Sequence, residues 1–169
     1  TLVRCKNIIL FLDFDGTLVP IRKTPSLATL SFGTRALLRR LSNRPNIIVG
    51  LVTGRSQADI KAKVRLRKMF WIGNHGFEIS MGRSHWVHPT AEEARPVLSE
   101  MARKLNREFS SVQGVLIENK RYTLTIHYRN VRKKSVGLVK ETTRRLLRQY
   151  AGDISITRGK KVFEVRPDA

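Results

Sequence analysis

Residues 8–18 read Ile-Ile-Leu-Phe-Leu-Asp-Phe-Asp-Gly-Thr-Leu, and this stretch decides the fold. The continuous apolar run at residues 8–12 is typical of a short strand buried in a parallel sheet. Two carboxylates, Asp13 and Asp15, follow the run directly, and Gly16 permits the chain to turn after them. In open α/β sheets, ligands bind at the carboxyl ends of the strands. The stretch therefore predicts a ligand site at the end of this strand.

The two carboxylates also indicate a chemistry. Asp13 and Asp15 can point into one site once the chain has turned, and carboxylate oxygens suit Mg2+, which also neutralises phosphate charge. Asp13 can attack phosphorus to form an aspartyl-phosphate, while Asp15 moves protons. The alternative is a carboxylate-rich turn without chemistry. The position directly after an apolar run argues against that alternative.

Outward from this strand, the first half of the chain alternates helix and strand signals. Leucines recur near helical spacing between Leu30 and Leu41, and residues 46–52 and 69–72 are two further apolar runs. Ser56 and Asp59 have the spacing of a capping box, which opens a short helix through about residue 64. This strand–helix–strand–helix–strand order predicts right-handed crossovers and an open parallel sheet.

The second half has a different rhythm and predicts the order αββαββ. Its first helix begins with a second capping-box pattern at residues 90–93, although Pro96 kinks the helix or delays its start. The last two strands form a hairpin around Arg158-Gly159. The four strands are predicted at residues 115–119, 122–129, 154–157 and 161–165. Such an order predicts a small sheet with two helices on one face.

The charge is strongly positive, with 33 Lys and Arg against 13 Asp and Glu, a net charge of +20. Such an excess favours a polyanionic partner. The charge is nevertheless even along the chain: residues 1–79 carry 14 basic and 4 acidic groups, and residues 80–169 carry 19 and 9. A basic field also attracts a phosphorylated substrate. We therefore expect a generally solvated basic surface and do not expect nucleic acid as the partner.

Two further features bear on location. No apolar run approaches the ~18 to 20 residues that a transmembrane helix needs, so no membrane span is expected. The chain contains a single cysteine, Cys5, which excludes an internal disulfide and is compatible with a reducing cytoplasm. The expected location is therefore cytoplasmic.

The stretch from Asp13 to Leu18 resembles the first motif of the haloacid dehalogenase superfamily. The second motif of that superfamily is a Ser or Thr that ends the next strand, and Thr53, in Val-Thr-Gly-Arg-Ser, is similar. The resemblance implies that the Thr53 hydroxyl bonds the transferring phosphoryl group, which suits the largely electrostatic catalysis of phosphoryl transfer.

Four further stretches resemble trehalose-6-phosphate phosphatases, and the similarity covers nearly the whole chain. They are residues 15–21 (DGTLVPI), 73–78 (GNHGFE), 118–120 with 127–129 (ENK and HYR), and 164–167 (EVRP). The resemblance implies a magnesium-dependent phosphatase for trehalose 6-phosphate, whose αββαββ part is a cap that closes over the core and reads the sugar. The substrate-binding residues that it implies are Gly54, Arg55, His75, Gly76, Glu118, Lys120, Arg129, Lys160 and Glu164.

The resemblance also implies a domain organisation. We expect a Rossmann-like α/β core in residues 1–82, the α+β cap in residues 83–166, and the start of a return to the core at residues 167–169. The family's third-motif lysine and later acidic pair follow the last of these stretches, where this sequence ends. A fragment that is inactive alone is therefore expected. Fusion to, or association with, a trehalose-phosphate synthase is the partnership that the resemblance implies.

Several alternatives stay open at this point. A phosphatase for another sugar phosphate shares the core motifs, because only the cap discriminates between sugars. A non-catalytic regulatory domain keeps sugar-phosphate binding without turnover. A polyanion binder is the third alternative, and steep salt dependence of DNA binding without a response to sugar phosphates would favour it. His75 is equally compatible with supporting its own loop.

Overall fold

The computed structural model describes residues 6–168, so the prediction about Cys5 lies outside the described residues. The chain divides into two compact units, Thr1–Val87 and His88–Ala169. The predicted boundary after residue 82 falls within a hairpin of the first unit, because residues 84–87 pair with residues 78–81. Within the described residues, no helix has the length and apolar character to cross a membrane.

The first unit is a five-stranded sheet with two helices. Its spatial strand order follows the chain, the first three strands being parallel and the last two antiparallel. The strands are β1 (Ile8–Asp13), β2 (Ile47–Val52), β3 (Phe70–Gly73), β4 (Glu78–Met81) and β5 (Ser84–Val87). The helices are α1 (Phe32–Ser42) and α2 (Gln57–Val64). The parallel βαβαβ part confirms the predicted α/β class, whereas the pairing of the β4–β5 hairpin with this sheet was not predicted.

Both helices begin at a serine cap. Ser31 Oγ accepts a hydrogen bond from the Thr34 N–H at the start of α1, and Ser56 Oγ accepts one from the Asp59 N–H at the start of α2. Each contact satisfies a backbone donor that has no partner within the helix. The predicted capping box of α2 is only half formed, because the Asp59 carboxylate bonds Arg55 and does not cap.

The sheet of the first unit is covered on one face. Side chains of β2 and β3 pack there against Leu38 of α1 and Ile60 and Val64 of α2. The prediction of a buried strand is wrong for β1 in the described part of the chain, because Ile9 and Phe11 on this strand are 61% and 52% exposed. The strand register places further exposed apolar residues on this second face: Ile48, Val52, Met81 and Trp86.

The second unit is a four-stranded antiparallel sheet in the order β6-β7-β9-β8. Its core joins the sheet to the long helices α4 and α5, as the αββαββ pattern predicted. Leu98, Met101 and Leu105 of α4 are buried against strand residues such as Ile126 and Phe163. The elements are α3 (Pro89–Glu93), α4 (Arg95–Glu108), β6 (Leu116–Asn119), β7 (Leu124–His127), α5 (Val136–Leu147), β8 (Ile154–Gly159) and β9 (Val162–Pro167).

Three details of the second unit differ from the sequence prediction. Thr90 lies inside α3 and does not cap it, because that helix already begins at Pro89. Pro96 stands in the first turn of α4, where the missing N–H costs nothing. The β8–β9 turn falls at residues 160–161, with Lys161 in a left-handed conformation, so the strands extend past the predicted turn at Arg158-Gly159.

Gly114, just before β6, has the most restricted glycine environment of the second unit. Its φ is +89°, and a Cβ there would lie 2.2 Å from the carbonyl oxygen of Asn130. Backbone atoms cannot move aside as a flexible side chain can, so we expect Gly114→Ala to lower the free energy of unfolding by about 2 to 4 kcal/mol. Denaturant titration measures this change.

Gly137 in α5 provides the matched control, because a Cβ there meets no atom within 4 Å and the backbone is helical. Gly137→Ala is expected to leave stability unchanged or raise it by up to about 1 kcal/mol. Similar unfolding midpoints for the two variants would contradict the prediction for Gly114.

Candidate active site

Asp13 and Thr53 lie at the carboxyl ends of the neighbouring strands β1 and β2 of the first sheet. Asp13 is the last residue of β1 and pairs in register with Val52, so Thr53 follows on the neighbouring strand. Asp13 is exposed, and its Oδ2 accepts a hydrogen bond from the Thr17 hydroxyl at 3.2 Å. The two predicted catalytic residues therefore lie where ligands of open α/β sheets bind.

The turn after Asp13 is anchored so that alternate side chains point to opposite sides. Phe14 and Val19 are buried, and Phe14 O accepts the Val19 N–H at 3.0 Å. Gly16 has φ +97°, which L side chains rarely adopt, and its N–H donates to Val19 O. This anchoring leaves Asp13 and Asp15 at the surface on either side of Phe14.

Thr53 is buried and held on both sides by backbone hydrogen bonds. Its N–H donates to Ile72 O at 2.9 Å, and its carbonyl accepts the His75 N–H at 3.0 Å. Its Oγ1 accepts the Arg55 N–H at 3.2 Å. Because the hydroxyl acts as an acceptor in that bond, its own O–H is left to be donated. The Thr53 hydroxyl can therefore act as a hydrogen-bond donor, and its contact with phosphate stays a prediction.

The Arg55 guanidinium is engaged by protein groups. Its Nε donates to Asp15 Oδ2 at 2.6 Å, its Nη2 to Asp15 Oδ1 at 2.8 Å, and its Nη1 to Asp59 Oδ2 at 2.6 Å. Burial alone would lower the pKa of Arg55, but the hydrogen bonds and charges of Asp15 and Asp59 outweigh it and raise that pKa. The implied substrate contact of Arg55 stays a prediction.

A strained loop after β3 brings His75 beside Thr53-Gly54. Asn74, His75 and Gly76 all have positive φ, at 47°, 60° and 102°. The His75 ring lies so close to Gly54 that a Cβ on Gly54 would be 2.3 Å from ring atom Cε1. Strained backbone of this kind clusters at functional sites. The structure thus groups the predicted residues of this loop with Thr53, and their contact with substrate stays a prediction.

Glu78 holds this loop in place, a role that sequence reasoning missed. The carboxylate is buried, and its Oε1 accepts both the Asn74 amide Nδ2–H and the Gln57 N–H at 2.7 Å. It therefore joins the strained loop to the first turn of α2. The available signal was a single acidic residue directly after Gly-Asn-His-Gly-Phe. If that residue is buried, its carboxylate needs hydrogen-bond donors, and the preceding loop can supply them.

Asp13 fits a divalent cation better than Asp15 does. The carboxylate of Asp13 is exposed and has one hydrogen bond, to Thr17, whereas both oxygens of Asp15 accept from Arg55. A cation bound through the Asp15 side chain would have to share it with the guanidinium. Among residues 6–168, no group of three or more His, Cys, Asp or Glu side chains is arranged to hold a metal ion.

The second unit carries its own set of predicted binding residues, on the sheet face opposite the helices. Thr125 of β7 is paired with Glu118 of β6 on one side and with Glu164 of β9 on the other. Glu118 Oε2 lies 2.8 Å from His127 Nε2, and Glu164 Oε2 accepts from Arg166 Nη2 at 2.6 Å. The Thr125 hydroxyl group thus has one glutamate carboxylate on each side along this row. Sequence reasoning assigned no role to Thr125.

The remaining predicted residues of the second unit lie at strand ends. Arg129 follows β7, and its Nη2 donates to the carbonyl oxygen of Lys160 at 3.1 Å. Lys160 stands in the β8–β9 turn with its side chain exposed, and the half-buried Lys120 follows β6. The structure therefore brings Arg129 and Lys160 together, and the binding roles of all three stay predictions.

Comparison with solved structures defines the class. The chain matches the crystal structure of a trehalose-6-phosphate phosphatase related protein with a TM-score of 0.86 at 22% identity, covering 96% of this chain and 69% of that one. It also matches a haloacid dehalogenase-like hydrolase from Bacteroides thetaiotaomicron with a TM-score of 0.61 at 19% identity, over 97% and 72% of the two chains. The fold is that of the haloacid dehalogenase-like hydrolases, as the motifs predicted.

Sequence comparison narrows this class. The trehalose-phosphatase family model matches residues 11–169, and the chain belongs to that family. Trehalose 6-phosphate phosphatase RA3 of Zea mays is 33% identical over 175 aligned positions, which cover 96% of this chain and 48% of the maize protein. The chain thus spans about half the length of this relative. The predicted family is confirmed.

Proposed function

We propose that the protein containing this chain is a magnesium-dependent phosphatase that hydrolyses trehalose 6-phosphate to trehalose and phosphate. The observation that carries the proposal is the position of the exposed Asp13 and of Thr53 at the carboxyl ends of two adjacent strands, in a member of the trehalose-phosphatase family. The name of the maize relative supports the same substrate.

In the proposed reaction, an Asp13 carboxylate oxygen attacks phosphorus while the P–O bond to the sugar breaks. The electron pair of that bond leaves with the sugar oxygen, which takes a proton from the Asp15 carboxyl group, protonated at the start of this step, and Asp13 becomes an aspartyl-phosphate. Asp15 then takes a proton from a water molecule that attacks phosphorus, releasing phosphate and restoring Asp13. Thr53 donates its O–H to a non-bridging phosphoryl oxygen throughout.

Magnesium would neutralise phosphate charge and hold the phosphoryl group for in-line attack. Asp13 would hold the ion, and the Asp15 carboxylate would take part if it shares an oxygen between the ion and Arg55. His75, Gly76 and the Thr53-Gly54-Arg55 turn would line the phosphate. We propose these roles because the residues lie around the same strand ends.

For the second unit, we propose that the sheet face opposite the helices recognises the sugar. Glu118 and Glu164 would accept hydrogen bonds from sugar hydroxyls on either side of Thr125. Lys120, Arg129 and Lys160 would bond hydroxyls or phosphate. The row of paired polar residues supports this proposal, because sugar recognition needs several hydrogen-bond partners on one surface.

Further expectations belong to the same proposal. Residues 1–169 alone are expected to be inactive, because Asp13 and Asp15 are the metal ligands predicted among them. A cytoplasmic location and an association with trehalose-phosphate synthase are also expected. Phosphatases for other sugar phosphates remain the nearest competitors, because the core residues would be the same.

Phosphate release by the full-length protein tests the substrate. Glu118→Ala or Glu164→Ala is expected to slow hydrolysis of trehalose 6-phosphate about 10- to 150-fold, the worth of one hydrogen bond to a charged group. Hydrolysis of p-nitrophenyl phosphate should change far less, because the core alone handles phosphate. Both substrates are assayed with each variant.

The matched control is Glu141→Ala, which removes an exposed carboxylate from α5, away from the sheet. It should leave both rates unchanged. Equal losses on the two substrates in Glu118→Ala and Glu164→Ala would count against a sugar-reading role. Binding of trehalose 6-phosphate without any phosphate release by the wild type would favour a non-catalytic sugar-phosphate-binding domain.

A further inference from the structure

The side chain of Arg55 is fixed at four places. Two nitrogens bond the two oxygens of Asp15, and a third bonds Asp59. Nη2 also donates to the Pro25 carbonyl at 3.1 Å, and the guanidinium lies 5.3 Å from the centre of the Phe14 ring. A guanidinium held in this way has one orientation, so the plane of its two bonds to Asp15 is also determined.

The exposed fractions of the three charged side chains indicate which one restrains the others. Arg55 is 7% exposed, whereas Asp15 and Asp59 are 39% and 37% exposed. A carboxylate that open to solvent would otherwise occupy several rotamers. Two parallel N–H···O bonds to a rigid fork restrict both its position and its rotation, which a single lysine ammonium cannot do.

The backbone of Arg55 serves the second polar group of the site. Its N–H donates to Thr53 Oγ1 at 3.2 Å, so the direction in which the Thr53 hydroxyl can donate depends on Arg55. Its carbonyl accepts the Asn74 N–H at 2.8 Å and so joins the strained loop. Arg55 therefore contacts Asp15, the proposed proton carrier, through its side chain. It contacts Thr53, the proposed hydrogen-bond donor to phosphate, through its backbone.

We infer that Arg55 and Asp59 are positioning residues: Asp59 and Pro25 orient the guanidinium, and the guanidinium orients the Asp15 carboxylate for proton transfer. This inference rests on the proposed function, since it assigns the purpose of the pair within that reaction. This role belongs to the guanidinium, which acts through Asp15, and is separate from the contact with phosphate proposed for the Thr53-Gly54-Arg55 turn. The inference also gives Asp59 a role beyond the first turn of α2.

A double-mutant cycle in the full-length protein tests the inference, with p-nitrophenyl phosphate and trehalose 6-phosphate as probes. Arg55→Lys keeps the charge and loses the fork, and it should lower kcat roughly 10- to 100-fold, with KM within about 3-fold. In an Asp15→Asn background the same change should alter kcat less than about 3-fold, because the group that it positions is already disabled. Losses that multiply, or a raised KM with kcat unchanged, would overturn the inference.

Asp59→Asn is the second variant and keeps the inference testable if Arg55→Lys does not fold. Asp59 is partly exposed, so its substitution should disturb the fold little. It should lower kcat in the wild-type background and not in the Asp15→Asn background. Lys63→Gln is the control, because Lys63 also approaches Asp59, at 3.9 Å, and has no hydrogen bond to Asp15. A loss of kcat in the control equal to that of Asp59→Asn would overturn the role of Asp59.

Crystal structures of the wild type and of Asp59→Asn separate this inference from the proposed function. If the wild type hydrolyses neither probe, the proposed function fails, while the positioning geometry is still observable. A shift of the Asp15 carboxylate away from its two-bond contact in Asp59→Asn supports the inference. An unchanged contact in that variant overturns it, whatever the activity.

Discussion

Asp13→Asn is expected to reduce phosphate release by the full-length protein by on the order of 10^4-fold or more, as for removal of other catalytic nucleophiles. A neutral amide cannot attack phosphorus, and it is also a poorer ligand for a divalent cation. The side chain is exposed and makes one hydrogen bond, to Thr17, so the fold should be nearly unaffected. Phosphate release and thermal unfolding measure the two effects separately.

Asp153→Asn makes the same chemical change at an exposed position before β8 and should leave turnover unchanged. The comparison removes any general effect of one lost negative charge on a strongly basic chain. Wild-type turnover by Asp13→Asn would show that the nucleophile is another group. A large fall in unfolding temperature would mean that lost activity reports on folding.

Asp15→Asn is expected to lower kcat by about 10^2- to 10^4-fold, the usual contribution of general acid–base catalysis. Substrate binding should stay closer to normal, because Asp13, Thr53 and the second unit are intact. The buried guanidinium of Arg55 would lose an anionic partner and keep Asp59, so we also expect a lower unfolding temperature.

Steady-state kinetics with trehalose 6-phosphate, together with binding measured in the inactive Asp13→Asn background, separates these effects. The asparagine can still accept one hydrogen bond from Arg55 through its amide oxygen, so the loss should reflect proton transfer. A rise in KM without a fall in kcat would show that Asp15 binds substrate and does not move protons.

The parallel part of the first sheet could be predicted because its strands are short apolar runs that end at turns and alternate with helices. What covers their faces could not, since five consecutive apolar residues at 8–12 look the same whether one face is buried or both. That the β4–β5 hairpin joins this sheet was not predicted, for a related reason. Its second strand, Ser-His-Trp-Val, has little apolar character and is stabilised by pairing with β4.

The candidate site shows the same division. Asp13 and Thr53 could be placed because each directly follows an apolar run, and strand ends meet at one edge of a parallel sheet. The contact between Asp15 and Arg55 joins residues 40 positions apart, and no local pattern indicates it. Asp59 has the sequence spacing of a capping residue. Its carboxylate instead accepts a hydrogen bond from the buried Arg55 guanidinium, a contact that only the three-dimensional structure shows.

The exposed apolar face of the first sheet has a consequence for handling the protein in solution. Side chains such as Phe11, Met81 and Trp86 are exposed on this face, and β1 is the edge strand of the sheet. Exposed apolar faces and unpaired edge strands favour association between molecules. The net charge of +20 opposes such encounters by repulsion between molecules. Salt screens that repulsion and leaves the apolar attraction in place. A solution of this protein should therefore resist aggregation best in dilute buffer, and its colloidal stability should fall as ionic strength rises.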